Sequence, residues 1–244
     1  MSPFNQNPDS LQRFDSFSGA PVYRAKYQCA DCCNPIDKDY AEPQGGCYPC
    51  GPGDLDISPI DSIEAVLLYL KREEWDEETG PVIDGLVEFG QEFLAAKERT
   101  HTEKMVNILS LGVEFGTFGN FDLLVIPPSS STGPNHMTPK AEGIEERFGI
   151  EFEDAIIDLK PHIEMKSISE ASERREVARD KFECQTSTQD ERVLILDDLI
   201  TSCATTIGVA EAVEKRGASQ IGVVSIARSV DLYTLKHRDL ITEI

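Results

Sequence analysis

Positive charge is scarce in this chain: 23 Lys and Arg stand against 44 Asp and Glu, a formal net charge of −21 over 244 residues. A nucleic-acid or anionic-membrane footprint needs a continuous positive potential, so a broad surface of either kind is excluded. Long apolar runs are missing too. The longest candidate, Ala65 to Leu70, is far too short to cross a hydrocarbon core of about 30 Å. The stretch Met1 to Asn7 is polar and lacks the charged-then-apolar pattern of a secretory signal, from which a soluble, cytoplasmic protein is expected. Glycine-rich nucleotide loops are absent: the chain has no dinucleotide turn and no Gly-Lys-Ser/Thr triphosphate loop. The histidines, His101, His136, His162 and His237, form no ligand-like cluster and receive no chemistry, although His136 closely follows a Ser-rich turn.

The acids are spread along the chain instead of standing in blocks. Such a surface fits a halophilic host, where surplus acid keeps a protein soluble; an acidic interaction face is the alternative. A chain of this length can bury a sizeable core and hold one α/β domain plus a small extra module.

The most informative segment runs from Arg192 to Thr206. Val193 to Leu196 reads as a strand buried on both faces, as in a parallel sheet, with Asp197 and Asp198 where it should end. A short polar loop follows. Thr205 to Arg216 reads as a helix, Gly217 as its stop, and Gln220 to Ala227 as a second buried strand. Ligands of such β-loop-α-β units bind at the carboxyl ends of the strands, where a helix N-terminus offers backbone N–H groups to phosphate. Two acids followed by hydroxyls suit a ligand with vicinal hydroxyls and a phosphate. The carboxylates would accept hydrogen bonds from ribose, while Thr201, Ser202, Thr205 and the loop N–H groups would donate to phosphate. An ordinary acidic strand-to-helix turn is the alternative.

Hydrophobic strand, Asp-Asp, two apolar residues and a hydroxyl-rich loop: this run resembles the phosphoribosyl-pyrophosphate motif of type I phosphoribosyltransferases. The resemblance implies a mainly parallel α/β sheet with flanking helices, and binding of 5-phosphoribosyl 1-pyrophosphate with Mg²⁺. Asp197 and Asp198 would face the ribose 2′- and 3′-hydroxyls, and the loop Thr201, Ser202, Cys203, Ala204, Thr205 would wrap the 5-phosphate. Cys203 stands where the family usually has Gly, so a Cβ is expected to crowd the phosphate or oppose a positive φ. Phe121 to Ile126 reads as an earlier strand, followed by Pro127-Pro-Ser-Ser-Ser-Thr-Gly133. That turn resembles the family's pyrophosphate loop, with Ser129 and Ser130 as candidate ligands, and a plain surface turn as the alternative. Arg174 and Arg175 would reach the pyrophosphate from a nearby helix, or pair with Glu170 or Glu173 on a solvated face. Arg228 would line the same crevice or pair with surface acids.

Five cysteines fall near the N-terminus, in Cys29-Ala-Asp-Cys32-Cys33 and Cys47-Tyr-Pro-Cys50. Two C-x-x-C knuckles separated by a Pro- and Gly-bearing loop read as a zinc ribbon with Cys29, Cys32, Cys47 and Cys50 as ligands of a structural Zn²⁺. Cys33 could replace Cys32, and disulfide or redox use is the alternative. Too few apolar residues flank the ribbon for it to fold without metal, and it would offer a docking surface to a protein partner. An N-terminal cysteine module, together with an Arg-bearing helix and Lys181-Phe182 just before the acidic strand, resembles the competence-associated ComF-type branch of the phosphoribosyltransferase family. The expected divisions are a flexible tail at 1–28, the ribbon at 29–53 and a phosphoribosyltransferase-like α/β domain at 60–244.

Elsewhere Ile63 to Tyr69 reads as a strand or a helix. Pro81 to Lys97 and His101 to Phe115 carry apolar residues at helical spacing and read as core-facing amphipathic helices. Thr138-Pro139 is expected to open a helix, with Thr138 as cap and Phe148-Gly149 as its close. Asp154 to Leu159 reads as a strand. The acceptor of any transferred phosphoribosyl group is not encoded in these patterns. A catalytic transferase and a non-catalytic sensor of sugar phosphate or nucleotide, docked through the ribbon in nucleic-acid uptake or processing, are both expected readings.

Overall fold

The computed structural model describes residues 4–6, 11–15, 21–25, 57–76, 81–97, 102–115, 120–129, 133–168, 171–232, 235 and 241–243. Cys29, Cys32, Cys33, Cys47 and Cys50, and with them the expected zinc ribbon, lie outside the described residues, as does Ser130. The chain divides into two compact units. One comprises Ile57–Glu64 and His101–Ile226; the other comprises Met1–Asp56, Ala65–Thr100 and Ala227–Ile244.

The architecture is α/β, with a mainly parallel five-stranded sheet and flanking helices. The sheet contains β4 (Ser62–Leu70), β5 (Leu123–Val125), β6 (Glu151–Phe152), β9 (Arg192–Ile200) and β10 (Gln220–Val230), in the order β4-β10-β9-β5-β6. β5 runs parallel to both β6 and β9, with Leu123 opposite Val193 and Val125 opposite Ile195. Val193 to Leu196 are wholly buried, as a strand covered on both faces requires. β9 does not stop at the acids as expected; it continues through Asp197 and Asp198 to Ile200. The ambiguous Ile63 segment is a strand, and seven of its nine residues are buried. The strand expected over Asp154 to Leu159 shrinks to β7 (Ile156–Asp158), paired antiparallel with β8 (Phe182–Cys184) in a separate ribbon.

In the first unit, α2 (Thr102–Phe115) packs on α3 (Thr138–Phe148), and Arg147 donates to Ser110 Oγ and Asn107 Oδ1 at 2.7 and 2.8 Å. α3 begins one residue earlier than expected. Met137 is its N-cap and makes no side-chain cap bond, so Thr138 is the first helical residue and not the cap. Pro139 still fits the first turn, where its missing N–H has no intrahelical acceptor, and Gly149 closes the helix at φ 69°. α4 (Ala171–Arg179) and α5 (Ala204–Glu214) meet at Gly208, where an added Cβ would come 2.3 Å from the Ala178 carbonyl oxygen. Arg179 pairs with the largely buried Glu211 across the same contact, and desolvation raises the Glu211 pKa above its ordinary value despite that guanidinium. Lys181, 4% exposed, donates to Asp158 Oδ1 and to the Lys160 and Ile163 carbonyls, stitching the turn after β7 to β8.

Hydrogen bonds also tie the approach to β9 to the exit from α5. Thr188 Oγ1 donates to the Val213 carbonyl at 2.7 Å, Asp190 N to Gly217 O at 2.9 Å, and Ser219 N to Glu191 O at 2.8 Å. Gly217, at φ 103°, lets the chain leave α5 there; a Cβ would meet Gln189.

In the second unit, α1 (Pro81–Lys97) buries Ile83, Leu86, Phe89 and Phe93 at helical spacing. Ile83 and Leu86 join Leu68, Leu70, Val230, Leu232 and Leu235 in one apolar cluster, each such side chain contributing about 2 kcal/mol by burial. Trp75 packs against that cluster, with its indole N–H donating to the Leu70 carbonyl. The same unit contains β1 (Phe4–Gln6) paired with β11 (Ile241–Glu243), and β2 (Leu11–Asp15) paired with β3 (Pro21–Ala25), all antiparallel.

Candidate functional site

Sheet order locates the site. From β5 the chain passes through α3 to β6 on one side, whereas from β9 it passes through α5 to β10 on the other. Connections therefore leave in opposite directions between β5 and β9, and an open crevice at the carboxyl ends is the consequence. Carrying the register two residues past Val125 and Ile195 brings Pro127 level with Asp197. The post-β5 turn and the acidic pair thus converge because their strands are neighbours.

Asp197 and Asp198 are half-buried. Asp197 Oδ1 accepts the backbone N–H of Asp198 at 2.8 Å, which keeps its carboxylate beside the next residue. Asp198 Oδ2 lies 2.8 Å from His136 Nε2. Thr201 is exposed, Ser202 and Thr205 are half-buried, and Cys203 and Ala204 are buried. Cys203 has φ 60° and ψ 2°, the left-handed conformation that the expected glycine would adopt without strain. It serves as the N-cap of α5 without a side-chain cap bond, while Thr206 Oγ1 turns back to the Cys203 carbonyl at 2.8 Å. The first N–H groups of α5 consequently face the loop without a capping side chain from Cys203, as an anion-binding helix start requires.

The segment entering from β5 is held by side chains. Asn135 Nδ2 donates to the Pro127 carbonyl at 2.8 Å, and Asn135 Oδ1 accepts the Met137 N–H at 3.0 Å. Lys140, 2% exposed, donates from Nζ to the His136 carbonyl at 2.6 Å. Asn135 and Lys140 were not expected in this cluster, and His136 was noted for its place after the Ser-rich turn but given no chemistry. The available signal was their position: a polar cluster between a parallel strand's carboxyl end and a Thr-Pro helix start.

Other candidates fall outside this convergence or on its edge. Ser129 is half-buried in the turn after β5. Arg174 lies on α4, and its Nε donates to the Ile168 carbonyl at 2.6 Å, a local tie to the chain just before its own helix. Arg228 is buried within β10, which extends to Val230. Cys184 and Cys203 are buried and in no disulfide, and burial pushes the Cys184 thiol up. Among the described residues no group of three or more His, Cys, Asp or Glu side chains is arranged to hold a metal, and no helix is long and apolar enough to cross a membrane.

The chain matches no protein-family model, and no curated protein matches it. Among solved structures it is similar to the allosteric regulatory enzyme of purine biosynthesis, at 21% identity and a TM-score of 0.35, over 50% of this chain and 25% of that one. It is also similar to a purine phosphoribosyltransferase from Pyrococcus horikoshii Ot3, at 14% identity and a TM-score of 0.33, over 54% of this chain and 87% of that one. A hypoxanthine phosphoribosyltransferase from Staphylococcus aureus aligns at 12% identity and a TM-score of 0.35, over 59% of this chain and 88% of that one. The chain thus spans a quarter of the length of the first of these.

Proposed function

We propose that this chain binds 5-phosphoribosyl 1-pyrophosphate with Mg²⁺ in the crevice between β5 and β9, as a phosphoribosyltransferase-like protein of the ComF type. One observation carries the reading. Asp197 and Asp198 occupy the carboxyl end of a central parallel strand, and the hydroxyl-bearing loop after them enters α5 through a left-handed residue. The carboxylates would accept hydrogen bonds from the ribose hydroxyls. Thr201, Ser202, Thr205 and the first N–H groups of α5 would hold the 5-phosphate. Ser129 and Ser130 after β5, and Arg174 from α4, would serve the pyrophosphate.

Two carboxylates and a set of hydroxyls are hard oxygen donors, which suits Mg²⁺, an ion that takes most of its remaining ligands from water and phosphate. Bound Mg²⁺ supplies charge neutralisation for pyrophosphate. In the transfer reaction a nitrogen acceptor forms a C–N bond at the anomeric carbon as the bond to pyrophosphate oxygen breaks, and pyrophosphate departs with the electron pair. Asp197 and Asp198 would fix the ring while positive character develops on it, so positioning and charge stabilisation do most of the work. The acceptor's identity is open. Zn²⁺ at Cys29, Cys32, Cys47 and Cys50 belongs to the same proposal, as the core of a docking module, and so do a cytoplasmic location and a halophilic host.

Cys203 favours a second reading, a non-catalytic sensor, because a side chain stands where the resembling motif has none. Calorimetric titration of zinc-loaded protein with the sugar pyrophosphate and Mg²⁺, in high salt, tests both. Mg²⁺-dependent binding followed by pyrophosphate release with some acceptor supports the transferase, and binding with no release across acceptor bases supports the sensor. No binding by folded protein refutes the site.

A further inference from the structure

We infer that His136 is a positioning residue for the sugar-binding acid: its imidazole holds the Asp198 carboxylate in the one orientation that a ribose hydroxyl meets. The inference rests on the sugar-phosphate reading of the β5–β9 crevice and adds a residue from a different strand-to-helix connection.

The contact itself is close, 2.8 Å between His136 Nε2 and Asp198 Oδ2, with 27% and 14% of the two side chains exposed. An ionised carboxylate only accepts, so Nε2 carries the proton in this hydrogen bond. The residues around His136 are fixed on every side of it in sequence. Asn135 binds the Pro127 carbonyl before it and the Met137 N–H after it. The Thr138 N–H reaches the Asn135 carbonyl at 3.2 Å, and the buried Lys140 ammonium donates to the carbonyl of His136 itself. These bonds order the turn that leads into α3, whose N-cap, Met137, makes no side-chain cap bond. Their shared effect is to set where the imidazole stands. A carboxylate held by this bond has given up rotamer freedom before a ligand arrives.

The test is calorimetric titration of full-length wild type, His136→Ala and His136→Gln with Mg²⁺ and 5-phosphoribosyl 1-pyrophosphate, with the Tm of each. Gln can place an amide N–H near the position of Nε2, and Ala cannot. A loss of about tenfold in affinity for Ala, largely restored by Gln at similar Tm, is expected for an oriented binding group. Wild-type affinity in His136→Ala overturns the inference while leaving the sugar-phosphate reading in place, and so does a loss that Gln does not repair. Absence of binding by wild type overturns both. In the wild-type protein, independent of any variant, the His136 imidazole NMR resonances are expected to shift as ligand saturates; unshifted resonances at saturation overturn the inference.

Discussion

Asp122 and Asp198 lie at opposite ends of the same pair of parallel strands and are met by different partners. Asp122 precedes β5, where Arg192 at the head of β9 gives it a guanidinium on both oxygens, at 2.7 and 2.9 Å, and a backbone N–H at 3.0 Å. The side-chain hydrogen bond to Arg192, before any other cause, pulls the Asp122 pKa down to about 2. At the far end Asp198 receives an imidazole, and Asp197 receives its neighbour's N–H. A planar guanidinium matches a carboxylate fork for fork and makes a surface clamp. An imidazole offers a single N–H from Nε2, which orients the carboxylate through one oxygen. The strand register fixes both pairs, yet only the carboxyl end lies where the connections diverge.

The largest expected break in that contrast is Asp198→Asn. Removing one charged acceptor should weaken Mg²⁺-dependent sugar-pyrophosphate binding by about tenfold to a hundredfold, with little change in Tm, by calorimetry. Asp122→Asn should leave that affinity untouched. Equal effects of the two substitutions would erase the distinction between the ends. Next comes the seat of α5. A Cβ at Gly208 would press on the Ala178 carbonyl oxygen and, at 2.8 Å, on the Phe182 ring, so Gly208→Ala should cost about 1–3 kcal/mol in urea unfolding.

Cys203→Gly sharpens the comparison further. Relief of the left-handed backbone is worth about 1–2 kcal/mol, against a similar combined loss from chain entropy and from the buried side chain. Stability should therefore change by less than about 1 kcal/mol, while phosphate affinity rises; weaker binding would give the thiol a role of its own. The smallest effect belongs to the clamp. A depressed carboxyl pKa stabilises the fold above its unfolded value of 3.8, and that contribution disappears as pH falls towards about 2. Acid-unfolding curves of wild type and Asp122→Asn should differ above that window and converge below it.

Much of this was legible in the residues. Val193 to Leu196, the α1 stripe and the Gly149 and Gly217 stops announce their elements by period and by turn chemistry. The departure at Cys203 even signalled its positive φ, because a motif glycine marks a backbone that side chains avoid. What stayed hidden depends on pairing between distant segments. Nothing local in Asn135-His136-Met137 indicates Asp198, which is brought near only by the β5–β9 register. The continuation of β9 past its acids was likewise invisible, since Asp is a poor strand former and sheet pairing overrides that preference. Thr138 has the chemistry of a cap, but Asn135 and Lys140 already order the preceding turn and the helix starts on Thr138 itself.

The bonds joining Thr188, Asp190 and Glu191 to Val213, Gly217 and Ser219 give the β9–α5 segment a closed base. Residues pinned at that base open together with the strand as one cooperative unit. Amide hydrogen exchange at Asp190 and Ser219 should therefore be as slow as at Val193 to Leu196, although both residues are exposed. The Thr201 and Ser202 amides, at the opposite tip, should exchange fast. The tip can then breathe around an incoming ligand on a timescale of its own, while the strand beneath it stays shut.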